Sequence, residues 1–91
     1  MFDWDASNLR KVRAHRIGRD EAEQVIRNAP ILIHAQDVEG EIRFVYYGET
    51  DVARLLAVIV TERGEKLRVI TAYDLDGGQQ RDYLTRRLQG D

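Results

Sequence analysis

The chain has 91 residues, 43% of them apolar and 33% charged, with 14 basic against 16 acidic side chains and a net charge of −2. That length allows one domain over residues 1–91 with a modest core, and the apolar runs exclude a disordered chain. The absence of cysteine excludes disulfides and thiolate chemistry, two separated histidines speak against a metal site, and no segment holds the ~20 apolar residues of a membrane helix.

Residues 2–5, Phe-Asp-Trp-Asp, suit a short edge strand or an anchored tail, and Asp5 or Ser7 suits the N-cap of a first helix. Ala6, Leu9 and Val12 mark its buried stripe and leave Arg10, Lys11 and Arg13 outward. Gly18 breaks this helix. Asp20 and Glu21 then suit the positive end of a second one, with Ala22, Val25 and Ile26 as its apolar face and Asn28-Ala29-Pro30 as its stop. Here the period changes. Residues 31–35, 42–48, 55–61 and 67–73 are strand candidates rich in β-branched side chains. The third is apolar without alternation, as in a central strand covered on both faces. Short connections at 38–41, 49–53 and 63–66 join neighbouring antiparallel strands, which makes a meander. Asp76-Gly77-Gly78-Gln79 reads as a capping box that opens a last helix carrying Tyr83, Leu84 and Leu88. The expected fold is α+β: two N-terminal helices, a four-stranded antiparallel meander sheet and a C-terminal helix, with the helices packed on one sheet face.

Charge is unevenly placed along the chain. Residues 8–19 hold Arg10, Lys11, Arg13, Arg16 and Arg19 with His15 and no acid. Residues 37–51 reverse the sign, and residues 81–87 return to Arg81, Arg86 and Arg87 against Asp82. Twelve of the 14 cations are arginine, whose planar fork suits bidentate contacts to phosphate or carboxylate. Screening over ~8 Å lets such a patch act despite the mildly negative total.

Several side chains admit a sharp and a plain reading. His15 ends a basic helix, where it serves as a general base or as a helix-end cap. Trp4 is read as a core anchor, and His34 as a structural or exposed strand residue. Tyr46 and Tyr47 must point to opposite faces of their strand. Arg43 and Arg63 flank the sheet, where they pair with Glu41, Glu62 or Glu65. Arg68 interrupts an apolar strand, and a cleft joining it to Arg81, Tyr73 and Tyr83 would form a phosphate or carboxylate site. Gly77-Gly78 lacks the rest of a nucleotide loop and reads as a helix start.

An ordered series of short motifs carries a resemblance. It comprises Trp4-Asp5, Asn8-Leu9, His15, Glu21-Ala22-Glu23, Gly40-Glu41 with Arg43, Gly48 with Thr50, and Arg54-Leu55-Leu56. Thr61-Glu62-Arg63-Gly64, Arg68-Val69-Ile70-Thr71-Ala72 and a late Tyr83 complete it. Together these resemble the BrnT family of type II toxins, over residues 2 to 83. The resemblance implies a RelE-like fold and a cytoplasmic ribonuclease that works without metal or cofactor. It also implies an antitoxin encoded by an adjacent reading frame, in a hetero-oligomer or beside a toxin homodimer. Its site residues here would be Arg68, Tyr83 and His15 in catalysis. Arg10, Lys11, Arg13, Arg43, Arg63, Tyr73 and Arg81 would bind RNA. Three positions depart from the family pattern: Tyr73 stands where an arginine is usual, and Gln79-Gln80 where Glu-Arg is usual. These neutral replacements favour the alternative of a non-catalytic module that binds an antitoxin-like partner.

Overall fold

Leu56, Val58 and Val60 line one side of a single strand while Ala57 and Ile59 line the other, so that strand needs cover twice. The fold is built around it. The computed structural model describes residues 1–90. In chain order it contains β1 (Phe2–Asp3), α1 (Ala6–Ala14), α2 (Arg19–Arg27), β2 (Ile31–Val38), β3 (Glu41–Glu49), β4 (Leu55–Arg63), β5 (Lys66–Asp74) and α3 (Gly77–Gln89). The sheet order is β1-β5-β4-β3-β2.

The antiparallel meander from β2 to β5 agrees with the expectation, but the sheet has five strands and is mixed. β1 joins parallel to β5, with Phe2 opposite Leu67 and Asp3 opposite Arg68. The edge of β5 would otherwise leave backbone groups without partners, and Leu67 N–H donates to the Met1 carbonyl at 2.8 Å. Two aromatic side chains hold β1 in place. Phe2 and Trp4 pack on the core, and the Trp4 indole N–H donates to Glu23 Oε2 at 2.8 Å.

The expectation that all helices share one face is corrected. α1 and α2 cover one side through Val12, Ile17, Ala22 and Val25, whereas α3 covers the other, where fully buried Tyr83 packs with Val45, Tyr47, Ala57 and Leu75. Tyr46 and Tyr47 fall on opposite sides accordingly. Val69 and Ala72 both reach the α1/α2 side because Ile70 is an extra residue in β5, opposite the step from Ile59 to Val60. Gly48 lets β3 approach α2: a Cβ there would lie 2.9 Å from Val25 Cγ1 and 3.2 Å from Pro30 Cβ.

Local signals set the helix ends. Asp5 caps α1 and exchanges hydrogen bonds with Asn8, whose side chain fills the buried place expected of Ala6 and donates to the Asp3 carbonyl at 3.1 Å. Arg16, at φ 59°, ends the helix before Gly18 is reached. Ile17 N–H returns to the Val12 carbonyl at 3.0 Å and Arg16 N–H to that of Arg13 at 2.9 Å, which is the Schellman arrangement. Gly18 instead caps α2, donating its N–H to Glu21 Oε1 at 2.9 Å. Asp76 and Gln79 cap α3 as the sequence predicts. Leu84 and Leu88 point to solvent, however, at 50% and 90% exposure, and leave Tyr83 as the buried residue of that helix.

Candidate functional site

An arginine is available to a ligand only where no carboxylate already holds it. Among the described residues, six of the 14 cations stand in ion pairs: Arg27, Arg43, Arg54, Arg63, Arg68 and Arg86. Five of the remaining eight are Arg10, Lys11, Arg13, Arg16 and Arg19, all exposed. They run along the outer side of α1 and through the turn to α2. On a helix, Arg10 and Arg13 are three residues apart and share one face.

The sheet's arginines behave differently. Arg68 is 15% exposed, 2.6 Å from Asp5 Oδ2 and 3.8 Å from Asp3 Oδ2, so it ties β5 to β1 and to the cap of α1. Asp5 is held below the ordinary carboxylate range by the Asn8 N–H and then by Arg68. Arg43 and Arg63 both pair with Glu41, at 2.9 and 3.8 Å.

Arg54, absent from the sequence-derived site, forms the densest contact. It holds Asp74 through two bonds of 2.8 and 3.0 Å, Glu21 through bonds of 3.0 and 3.1 Å, and the Arg16 carbonyl at 3.1 Å. One side chain thus joins the end of α1, the first turn of α2 and the end of β5. Arg54 depresses the Asp74 pKa; that of Glu21 is depressed first by the Gly18 N–H and then by Arg54. The guanidinium is itself shifted up, mainly by Asp74. Its sequence signal was a lone cation between a turn and an apolar strand, but its partners are 33 and 20 residues away.

Beside this knot lies His15, at the C-cap of α1, with its ring centroid 6.3 Å from that of Tyr73. Arg81 lies on the first turns of α3, with Nη1 3.9 Å from where a Gly77 Cβ would be. His15 and Tyr73 therefore meet at the end of the sheet where β5 leaves it. Arg13 and Arg16 flank His15 in the chain.

Arg68 and Tyr83 do not join this group. Arg68 precedes Tyr73 by five residues of β5, roughly 16 Å along a strand. Tyr83 is 0% exposed, its hydroxyl donates to Glu49 Oε2 at 2.9 Å, and Arg87 covers its ring at 5.7 Å. Burial and then Glu49 push the Tyr83 pKa up. Gln79 and Gln80 are engaged locally: Gln79 in the α3 cap, and Gln80 donating to the Leu75 carbonyl at 3.0 Å. A surface hollow of about 420 Å³ sits at the far end of the sheet, where Glu41 and Glu62 flank Ile42 and Phe44. Its carboxylates disfavour a polyanion.

Among the described residues no group of three or more His, Cys, Asp and Glu side chains converges as metal ligands, and no helix is long and apolar enough to cross a membrane. The chemistry on offer is an imidazole and a phenol at one end of the sheet, with the exposed Arg13 and Arg16 on either side of the imidazole in the chain. That set can exchange protons and stabilise phosphate charge.

Residues 4–77 match the family model described as ribonuclease toxin, BrnT, of type II toxin–antitoxin systems. The chain belongs to this family, which implies an antitoxin partner. The match spans every element from α1 to β5 and ends at the first residue of α3, ahead of Gln79 and Gln80. No curated protein matches the chain.

Proposed function

We propose, with this family membership as premise, that the chain is a toxin that cleaves single-stranded RNA without metal at the end of the sheet where His15 meets Tyr73. The observation that carries this reading is the distribution of free cations: Arg10, Lys11, Arg13, Arg16 and Arg19 are exposed, form no ion pair among the described residues, and stand on both sides of His15 in the chain. The α1 cations hold the RNA backbone, and Tyr73 offers an aromatic surface on which an unpaired base stacks. His15 takes the proton from a ribose 2′-hydroxyl, and that oxygen attacks the adjacent phosphorus. Arg13, Arg16 and Arg81 stabilise the doubly charged phosphorane. The 5′-oxygen leaves with a proton taken from solvent water, the His15 imidazolium then returns its own proton to solvent, and a 2′,3′-cyclic phosphate remains. Arg68 and Tyr83 act as positioning residues, one securing the start of α1 and the other the seat of α3.

Incubating the purified chain with single-stranded RNA in the presence of a chelator tests this. Fragments ending in cyclic phosphate are expected from the parent, and His15→Gln should abolish them while RNA binding persists. Equal cleavage by both proteins would remove His15 from the mechanism.

A second reading, a non-catalytic module that engages an antitoxin-like partner, draws on the engagement of Gln79, Gln80 and Arg68 in structural contacts. It predicts uncut RNA, normal growth on induction, and co-purification with the product of the adjacent frame.

A further inference from the structure

The two rings of the candidate site come from elements on opposite sides of the sheet. His15 caps α1, which covers one side, and Tyr73 packs with the α3 cluster on the other. Their centroids lie 6.3 Å apart, with the ring planes tilted by 56°. A single aromatic pair of this kind is too weak to fix two elements against each other. The chain neighbour of each ring, however, is held by one and the same side chain. Arg54 Nη1 donates at 3.1 Å to the carbonyl of Arg16, the residue after His15. Arg54 Nε and Nη2 donate at 2.8 and 3.0 Å to the two carboxylate oxygens of Asp74, the residue after Tyr73.

We propose, given that these two rings carry the RNA cleavage, that Arg54 is a positioning residue whose guanidinium sets His15 in place against Tyr73. The guanidinium is rigid and planar, so a shift of either acceptor distorts bonds that share one plane. Glu21 accepts from Nη1 at 3.0 and 3.1 Å and closes the fork against the first turn of α2. The backbone of Arg54 is fixed as well. Its N–H donates to Thr50 Oγ1 at 3.1 Å, and Thr50, which is buried, returns its own N–H to the Arg54 carbonyl at 2.9 Å. The turn before Arg54 is tied to α2. Asp51 N–H donates to Gln24 Oε1 at 3.0 Å, and the Asn28 amide donates to the Glu49 carbonyl and to Asp51 Oδ1, each at 3.0 Å.

Two further observations fit a positioning role. Arg16 stands at φ 59°, and the bond from Arg54 to its carbonyl holds that left-handed residue beside His15. Asp74 is depressed by Arg54 against the cost of desolvation, and to a lesser degree by His15, so this carboxylate lies within electrostatic reach of the imidazole. An ammonium presents its donors from a single point. Arg54→Lys therefore keeps a cation against Asp74 and Glu21 and loses the planar span to the Arg16 carbonyl.

Steady-state cleavage of single-stranded RNA and nuclear Overhauser spectroscopy of the intact chain test the role, at a temperature where circular dichroism shows every variant folded. Cross-peaks between the ring protons of His15 and Tyr73 are expected in the parent. Arg54→Lys should remove them and lower kcat roughly 100-fold, with KM changed less than about twofold, since a misplacement of ~1 Å has an effect of that size. Asp74→Asn, which weakens one arm of the fork, should lower kcat by a smaller factor. Trp4→Phe deletes the bond to Glu23 away from the site and should keep the cross-peaks and the parental kcat. Parental cross-peaks and kcat in Arg54→Lys would overturn the role of Arg54 while leaving the cleavage reading intact. So would a rise in KM at constant kcat, the mark of a ligand contact, or an equal loss of kcat in Trp4→Phe, the mark of general loosening. A parent that leaves RNA uncut, although Arg54→Lys still loses the cross-peaks, would overturn the cleavage reading and this role with it.

Discussion

The basic flank of α1 and the arginines of the sheet use one side-chain type for opposite ends. Among the described residues Arg10, Lys11, Arg13, Arg16 and Arg19 have no carboxylate partner, whereas Arg43, Arg54, Arg63 and Arg68 are each held by one or two. A cation already satisfied by the protein stabilises the fold and has little left for a phosphate. One left unpaired keeps its charge for a ligand and contributes little to folding. Arg16 sharpens the contrast, because it occupies the left-handed position after α1, where glycine is the least strained residue. The fold tolerates strain there and retains a cation beside His15.

The largest expected effect breaks the flank alone. Replacing Arg10, Lys11, Arg13 and Arg16 together by Gln should weaken binding to single-stranded RNA roughly 100-fold at low salt. It should also flatten the dependence of log affinity on log salt by about 3, while thermal stability stays within about 1 °C. Fluorescence anisotropy across a salt series measures both, and an unchanged slope would take RNA away from α1.

Arg54→Ala should do the reverse. It strands Asp74 and Glu21, and with the guanidinium 29% exposed the cost is about 2 kcal/mol after solvent screening, or about 10 °C in Tm. RNA affinity should change less than about twofold, since Arg54 lies outside the flank. Calorimetry and anisotropy on the same sample distinguish a structural lock from a ligand contact. Arg68→Ala should lower Tm by a smaller amount.

Acid separates the two groups as well. Asp74 and Glu21 are depressed in the folded chain from ordinary values of 3.8 and 4.5, so the unfolded chain takes up protons first as pH falls. The stability that they contribute is complete above those values and is lost as pH drops through the folded pKa of each. Denaturant midpoints between pH 7 and 3 should fall for the parent and fall less for Arg54→Ala. Parallel curves would show that the carboxylates are not coupled to Arg54.

The smallest effect has opposite signs in the two assays. Arg16→Gly relieves the left-handed strain and should raise stability by about 1 kcal/mol. It also removes one phosphate contact, so RNA affinity should fall severalfold. A variant that gains stability and keeps its affinity would mean that the strain serves no ligand.

The sequence alone determined what is local. The caps at Asp5 and Asp76, the stop at Asn28-Ala29-Pro30, the change of period at residue 31 and the meander each rest on contacts within a few residues or across short turns. The ordered motifs carried the family over nearly the whole chain. The tertiary structure decided what depends on distant partners: the parallel β1, the side on which α3 lands, and the burial of Tyr83 against Glu49, 34 residues away. It decided the free charge too. Arg68 meets Asp5 across 63 residues and Arg54 meets Glu21 across 33. Periodicity reports which face of an element is apolar, but not which distant carboxylate will lie within 3 Å of a guanidinium. That pairing divides the arginines of this chain into those that hold the fold and those left for a ligand.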